Sequence, residues 1–533
     1  MSERLETPGL LVTIATIEAA NGIQEVKERV RGTSITLITP PSPFLSDERV
    51  FPFLGVLKVA AELERNGNPV DVLDLSGYSN YLNIIEDYCV QNEVLNFGLT
   101  ATTPQIPNAV EIANKIKNIR PAANVILGGP HVTLTHTAYQ IDNALGLMRR
   151  GSHAFSQLRS NFDQLVVGDG EMAIFEALDS HEPIIDAGNR KSSLFMQRGT
   201  LDDYADPARH LIDLESYKYY IPDDRERFRA VSIIGQLGCP FKCGFCGGRN
   251  VDFLRLTRTR SVANIINELE TLTKESSNWQ EPIRGAMFYD DELNVHGGTL
   301  EELCTGLIDM QARLGAEMRF RGFVKAELFN SNQAELMYKA GFRVLLTGVE
   351  SGSDKILTSM QKNTSREVNS QCVNTAHNAG LNVKALMSIG HPGETVDTVG
   401  ESVKWVKKNL REGDDVDWTI ITEYPGSPYF DQSDFDPETG AWVYVAPNGE
   451  KLFSSEVDYV HEANFYKGVP GEYTAYVWTE ALNPRQLIEL RDQAEIEGRR
   501  TLGLPDINIV QSEQFEHSMG QGLPGRIFRS TTN

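Results

Sequence analysis

Three cysteines, Cys239, Cys243 and Cys246, crowd one stretch that runs from Gly238 to Gly248. Thiolate sulfur is a soft ligand suited to iron–sulfur clusters and zinc. Gly238, Gly244, Gly247 and Gly248 let the backbone curl tightly and bring amide donors close to the sulfurs. The spacing is Cys-x3-Cys-x2-Cys, and the next cysteine, Cys304, lies far down the chain. A closed structural zinc site wants four ligands, often as two Cys-x-x-Cys pairs. Three thiolates on a four-iron cluster leave one iron open, and an open iron can bind a small molecule. A zinc loop completed by a distant ligand, or thiols that are merely packed, are the bland alternatives.

Such a loop has to be held at the end of a strand, and the apolar run 231–237 supplies one. Further strands are predicted over 286–289, 318–324, 344–349, 383–389 and 418–422, with helical patterns between them. Six β–α units in a row imply a partial parallel barrel, whose chemistry sits at strand C-terminal ends. The polar clusters fall there: Asp290-Asp291-Glu292, Glu350-Ser351-Gly352, and Gly390-His391-Pro392-Gly393-Glu394. Upstream, strands are predicted over 34–39, 70–75, 96–99, 124–127 and 164–167, alternating with helices. That pattern is a doubly wound parallel sheet, which binds ligands beyond its strand C-termini. Small residues gather at that edge, in Thr100-Ala101-Thr102-Thr103, Gly128-Gly129-Pro130-His131 and Gly168-Asp169-Gly170-Glu171. Glycines after strands are also ordinary turn punctuation, so the sheet alone points only to a nucleotide-like ligand.

The cysteine triad resembles that of the radical S-adenosylmethionine (SAM) enzymes. The resemblance implies a 4Fe–4S cluster whose open iron is chelated by SAM, which is cleaved to a 5′-deoxyadenosyl radical. Phe245 stands where the family places an aromatic against adenine. Asp290 and Asp291 match the SAM amino-group contacts, Glu350 and Ser351 the ribose contacts, and Gly390 and the Tyr424–Pro428 loop the later loops near adenine. Arg321 and Lys325 are candidates for a cation facing the SAM carboxylate. For each of these acids and bases taken singly, a solvated or ion-paired surface residue is the alternative reading. The upstream sheet resembles the cobalamin-binding domain that precedes many such enzymes, with Thr100, Thr102, Gly128, Gly129, His131, Gly168 and Gly170 as cobalamin-binding candidates. The Asp-x-His-x-x-Gly motif of mutases is absent, so His131 reads as a loop histidine more than a cobalt ligand. The resemblance covers about 34–430.

The division that follows is 1–33 an extension, 34–185 a Rossmann-like cobalamin-binding domain, 186–230 a linker, 231–430 the radical SAM partial barrel, and 431–533 a C-terminal α+β extension. Within the ends, 10–17 reads as a strand, 23–30 and 484–502 as charged helices. Tyr459, Tyr466 and Trp478 read as pocket lining or, more simply, as core. A net charge of −23 from 50 basic and 73 acidic residues argues against a general nucleic-acid or membrane-surface binder. No apolar run approaches the ~20 residues of a spanning helix. Six cysteines, three clustered and three scattered, make no disulfide framework, which is consistent with a reducing cytoplasm. The function implied is cobalamin-dependent methylation of an unactivated carbon on a small-molecule or peptide substrate, with an external flavodoxin- or ferredoxin-type electron donor. The same fold performing cyclisation, ring contraction or oxidation is a second reading, and a non-enzymatic iron–sulfur redox protein a third.

Overall fold

The computed structural model describes residues 22–42, 48–197, 201–223, 226–462 and 474–504. The expected strand at 10–17, Tyr466 and the end of the tail lie outside them. The first sheet is built from β1 (Ile35–Thr39), β2 (Val70–Asp74), β3 (Asn96–Thr100), β4 (Asn124–Gly128), β5 (Gln164–Val167) and β6 (Ile184–Asp186). All pairings are parallel, and the order is β2-β1-β3-β4-β5-β6. β1 and β5 are buried along their whole length, and branched apolar residues make up most of both. The chain passes to opposite sides of β1 to reach β2 and β3. Their C-terminal ends therefore splay helices apart and leave a crevice at the switch point. β6 is three residues long and follows the polar run Asp179 to Pro183, which hides it.

The second sheet follows β7 (Tyr219–Pro222) and β8 (Arg227–Ile233). A short antiparallel pair, β9 (Gln236–Leu237) and β10 (Arg258–Thr259), brackets the cysteine loop. Then come β11 (Gly285–Phe288), β12 (Arg319–Phe323), β13 (Phe342–Glu350), β14 (Asn382–Ile389) and β15 (Asp415–Ile420). The order is β15-β14-β13-β12-β11-β8-β7, parallel except for β7, which runs antiparallel to β8. The six parallel strands are those expected of the partial barrel. The segment read as a linker contributes β7, an edge strand with one residue fully buried, Ile221. Phe288, Phe320 and Phe342, all fully buried, pack together with ring centroids 5.6–6.0 Å apart beneath the flanking helices. Inside the curl, Phe51 enters from the first domain and meets Tyr219 at 4.4 Å and Tyr289 at 5.2 Å.

A C-terminal antiparallel sheet, β16 (Asp434–Asp436), β17 (Ala441–Val445), β18 (Lys451–Ser454) and β19 (Val477–Trp478), leans against the barrel. The helix Pro484–Thr501 covers the open edge of β15. An edge strand exposes unpaired backbone groups. Here Glu495 Oε2 accepts from the Trp418 amide at 3.1 Å, and Arg491 Nε donates to the Trp418 carbonyl at 2.9 Å. No described helix is long and apolar enough to cross a membrane.

Candidate active site

The cysteine loop leaves β9 and is tied down from three directions. The Cys239 amide donates to the Leu254 carbonyl at 2.9 Å, the Gly244 amide to Met360 at 2.8 Å, and the Tyr429 amide to Gly244 at 3.1 Å. Gly244 has no room for a side chain: a Cβ there would stand 2.7 Å from the Tyr429 ring. Arg249 folds back under the loop and donates to the carbonyls of Cys239 and of Phe241, the latter at 3.2 Å. All three thiols are free. Burial pushes Cys239 up and Cys246 up to about 12, while the Arg249 cation pulls both down. Ligation removes those protons, and the buried cation offsets part of the charge left behind.

Among the described residues, no three His, Cys, Asp or Glu side chains are close enough together to hold one metal ion. Around a tetrahedral zinc with bonds of about 2.3 Å, sulfurs stand about 3.8 Å apart. Thiolates that each bind a separate iron need a wider set. The donor set, a single loop of three thiols with a resident cation, fits a multi-iron cluster better than zinc.

The acids after β11 divide in use. Asp290 Oδ1 accepts from the Gly235 amide at 2.6 Å and so pins the exit of β8; burial raises its carboxyl to about 7. Asp291, also raised by burial, has Arg249 as its opposing charge and accepts a hydrogen bond from the Gly238 amide. It thus faces the cysteine loop. Arg321 is buried inside the curl and donates to the Tyr219 hydroxyl at 2.7 Å. Lys325 pairs with Glu327 at 3.0 Å.

Glu350 closes β13 in the left-handed region, with φ 61°. A non-glycine residue there costs about 1–3 kcal/mol and persists only where its surroundings hold it. Glu350 Oε1 accepts from Lys362 Nζ at 2.8 Å and Oε2 from the Ser388 hydroxyl at 3.0 Å. Ser388 in turn meets His391 Nε2 at 2.8 Å, and His391 Nδ1 meets the Tyr429 hydroxyl at 3.3 Å. The Phe245 ring lies edge-on to His391 at 5.2 Å. Burial drops His391 to about 3, so the ring is neutral. Lys362 holds the Glu350 carboxyl below its ordinary range although burial opposes it. Ser351 faces inward and shares a 3.1 Å bond with Ser402, bracing the turn. Gly390 starts the turn that carries His391. One network therefore joins Glu350, expected at the ribose, to Phe245, expected at the adenine. Lys362 and Tyr429 are not singled out by the sequence, whereas His391 belongs to the Gly390–Glu394 cluster named from it. Lys362 sits between two left-handed residues, Gln361 and Asn363, in a turn without periodicity.

Beyond the first sheet lies a cavity of 370 Å³, bordered by Thr100, Gly128, Gly129, Gly168 and Gly170, and by Ile234, Gly235 and Leu237 from the barrel. It lies at the C-terminal ends of β3, β4 and β5, on the crevice side. At Gly129 (φ 100°) a Cβ would stand 2.8 Å from the Ala101 amide, and at Gly168 (φ 87°) it would run into the Gly188 backbone. The apolar, glycine-rimmed crevice fits the flat tail of a nucleotide-like cofactor. Thr102 and His131 do not border it. Thr102 caps the following turn through Gln105 at 2.9 Å. His131, the second residue of the helix Pro130–Ala144 and not a loop residue, is buried, with Nδ1 3.0 Å from Thr103 and Nε2 3.3 Å from Thr135. Both ring nitrogens are occupied, and burial drops the imidazole to about 3.

The family model of the Radical SAM superfamily matches residues 233–406, and that of the B12 binding domain matches residues 47–159. An uncharacterized methyltransferase of Pyrococcus horikoshii is 27% identical over 342 residues, 62% of this chain and 67% of that protein. The anaerobic magnesium-protoporphyrin IX monomethyl ester cyclase of Rubrivivax gelatinosus is 24% identical over 409 residues, 70% of this chain and 67% of that protein. Among solved structures, the radical S-adenosylmethionine methyltransferase TsrM from Kitasatospora setae, with cobalamin and a [4Fe-4S] cluster bound, superposes with a TM-score of 0.54 at 17% identity, covering 74% of this chain and 77% of that one.

Proposed function

The chain belongs to the cobalamin-dependent radical SAM enzymes, and from that premise we propose that it methylates an unactivated carbon of a small molecule or peptide. When bound, the cluster and SAM supply a carbon-centred radical that opens a C–H bond, and cobalamin supplies the methyl group. Cys239, Cys243 and Cys246 would hold the cluster. Glu350, kept ionised by Lys362, would accept hydroxyl protons of the ribose, and Phe245 would flank the adenine. Gly128, Gly129, Gly168 and Gly170 would admit the cobalamin tail. An external one-electron donor of the flavodoxin or ferredoxin class and a reducing cytoplasm complete the reading.

The observation that carries it is the exit of β8. Ile234, Gly235 and Leu237 border the cavity beyond the first sheet, and Cys239 follows two residues after Leu237. On this reading the two cofactor sites share the segment that leaves β8. Anaerobic reconstitution with iron, sulfide and cobalamin tests it. The expected result is a cobalamin spectrum, 5′-deoxyadenosine from SAM, and loss of deoxyadenosine but not of the cobalamin spectrum in Cys239→Ala/Cys243→Ala/Cys246→Ala. The absence of deoxyadenosine from a fully clustered protein overturns it. The likeness to a cyclase supports a second reading, radical ring formation without methyl transfer. A product heavier by one methylene decides for the first.

A further inference from the structure

A second cavity, of 530 Å³, opens where the first domain, the barrel and the C-terminal sheet meet. The helix Arg150–Asn161, the chain leaving β15 and the segment after β18 form its sides. Glu423 sits in its wall and is only 4% exposed. Its Oε2 takes bonds from Arg150 Nη2 at 2.5 Å and from the Ser454 hydroxyl at 2.6 Å. Its Oε1 is buried and has no hydrogen-bond partner among the described residues. An acceptor left unpaired at that depth calls for a donor, which reaches it once the side chain turns toward the cavity.

Three more carboxylates, Glu456, Asp458 and Glu462, border the same space, and among the described residues Arg150 and His153 are its basic groups. Arg150 is already engaged by Glu423, by Ser433 at 2.6 Å and by the Phe430 carbonyl at 2.9 Å. The cavity is therefore net negative. Its aromatic surface comes from Phe430, Tyr459 and Tyr476. Carboxylates beside aromatic faces recognise organic cations. A metal ion is a poorer fit, because no three acidic, histidine or cysteine side chains converge on a point among the described residues.

The cavity adjoins a segment that is tied to the cysteine loop. The chain running from Glu423 to Phe430 touches the cysteine loop through the Tyr429 amide and through the Gly426 carbonyl, which accepts from Asn250 at 3.1 Å. On the other side the Tyr459 ring lies 5.2 Å from His131, beside the cobalamin-side sheet. We propose that this cavity binds the substrate, and that the substrate carries a protonated amine whose N–H donates to Glu423 Oε1 while its apolar part lies along the aromatic wall. What happens to the bound molecule rests on the methyl-transfer reading; its binding does not.

The test uses the full chain and two probes of one shape, phenethylamine and 2-phenylethanol, followed by saturation-transfer NMR. Phenethylamine should bind about tenfold more tightly than the alcohol. Glu423→Gln should lose that preference. Glu462→Gln, which leaves the Arg150–Glu423 pair intact, should reduce it several-fold even where Glu423→Gln folds poorly. Equal binding of both probes, no amine binding, or an amine affinity unchanged in Glu462→Gln and in a folded Glu423→Gln overturns the proposal. The cobalamin spectrum and deoxyadenosine yield are recorded on the same preparations. Their persistence when amine binding fails sinks only this assignment, and their loss when amine binding holds sinks only the methyl-transfer reading.

Discussion

Arg249 is the residue whose removal should be felt most directly by an iron–sulfur cluster. It lies within electrostatic reach of all three thiols and of Asp291, held by the loop's own carbonyls. A buried cation favours the more negative, reduced state. Arg249→Met should shift the cluster midpoint to more negative potential in an EPR-monitored titration, with Arg249→Lys in between; an unchanged midpoint would refute this. A second residue sets a pH response. Burial raises Glu171 to about 7 from an ordinary 4.5. Between those values the unfolded chain has released this proton and the folded chain keeps it, so stability falls as pH rises through that window. Glu171→Gln should remove roughly 1–3 kcal/mol of that fall. Parallel melts at pH 5 and pH 8 read it, and identical slopes would count against it. The sequence was most legible for residues tied to one local pattern, as with the cysteines and Glu350. Lys362, Tyr429 and Arg150 act through partners 12, 38 and 273 positions away. No periodicity records such distances.

At the scale of elements, strands buried on both faces announced themselves, because a parallel sheet demands continuous apolar runs. β6 and β7 did not, since short edge strands need little apolar sequence and sat among prolines. The glycines at the sheet edge looked alike in sequence but differ in the structure. A Cβ at Gly128 would meet only ordinary contacts, 3.7 Å or more away, whereas at Gly129 it would press on backbone at 2.8 Å. Gly128→Leu should therefore stay folded and fill the cavity, cutting cobalamin retention at least tenfold. Gly129→Ala should instead lower the melting temperature, by roughly 1–3 kcal/mol of strain. Retention in dialysis and thermal melts separate the two, and a Gly128→Leu protein that holds cobalamin normally would show that the ligand lies elsewhere.

At the scale of the whole molecule, Arg150 joins the first domain to everything after the barrel. Its guanidinium reaches Glu423, Ser433 and Ser454 and lies over the Phe430 ring at 3.9 Å. Breaking a buried pair on one side leaves an uncompensated charge, at a cost of about 3–5 kcal/mol. Arg150→Met should lose that much, and Arg150→Met/Glu423→Leu should recover part of it. A double variant no more stable than the single one would mean the carbonyl bonds dominate. Phe51 has a different consequence. With the aromatic ring of one half seated in the throat of the other, the two halves behave as a stoppered bottle. Cutting the gene between them would not yield two working proteins, because the barrel fragment would present an open, greasy mouth to water.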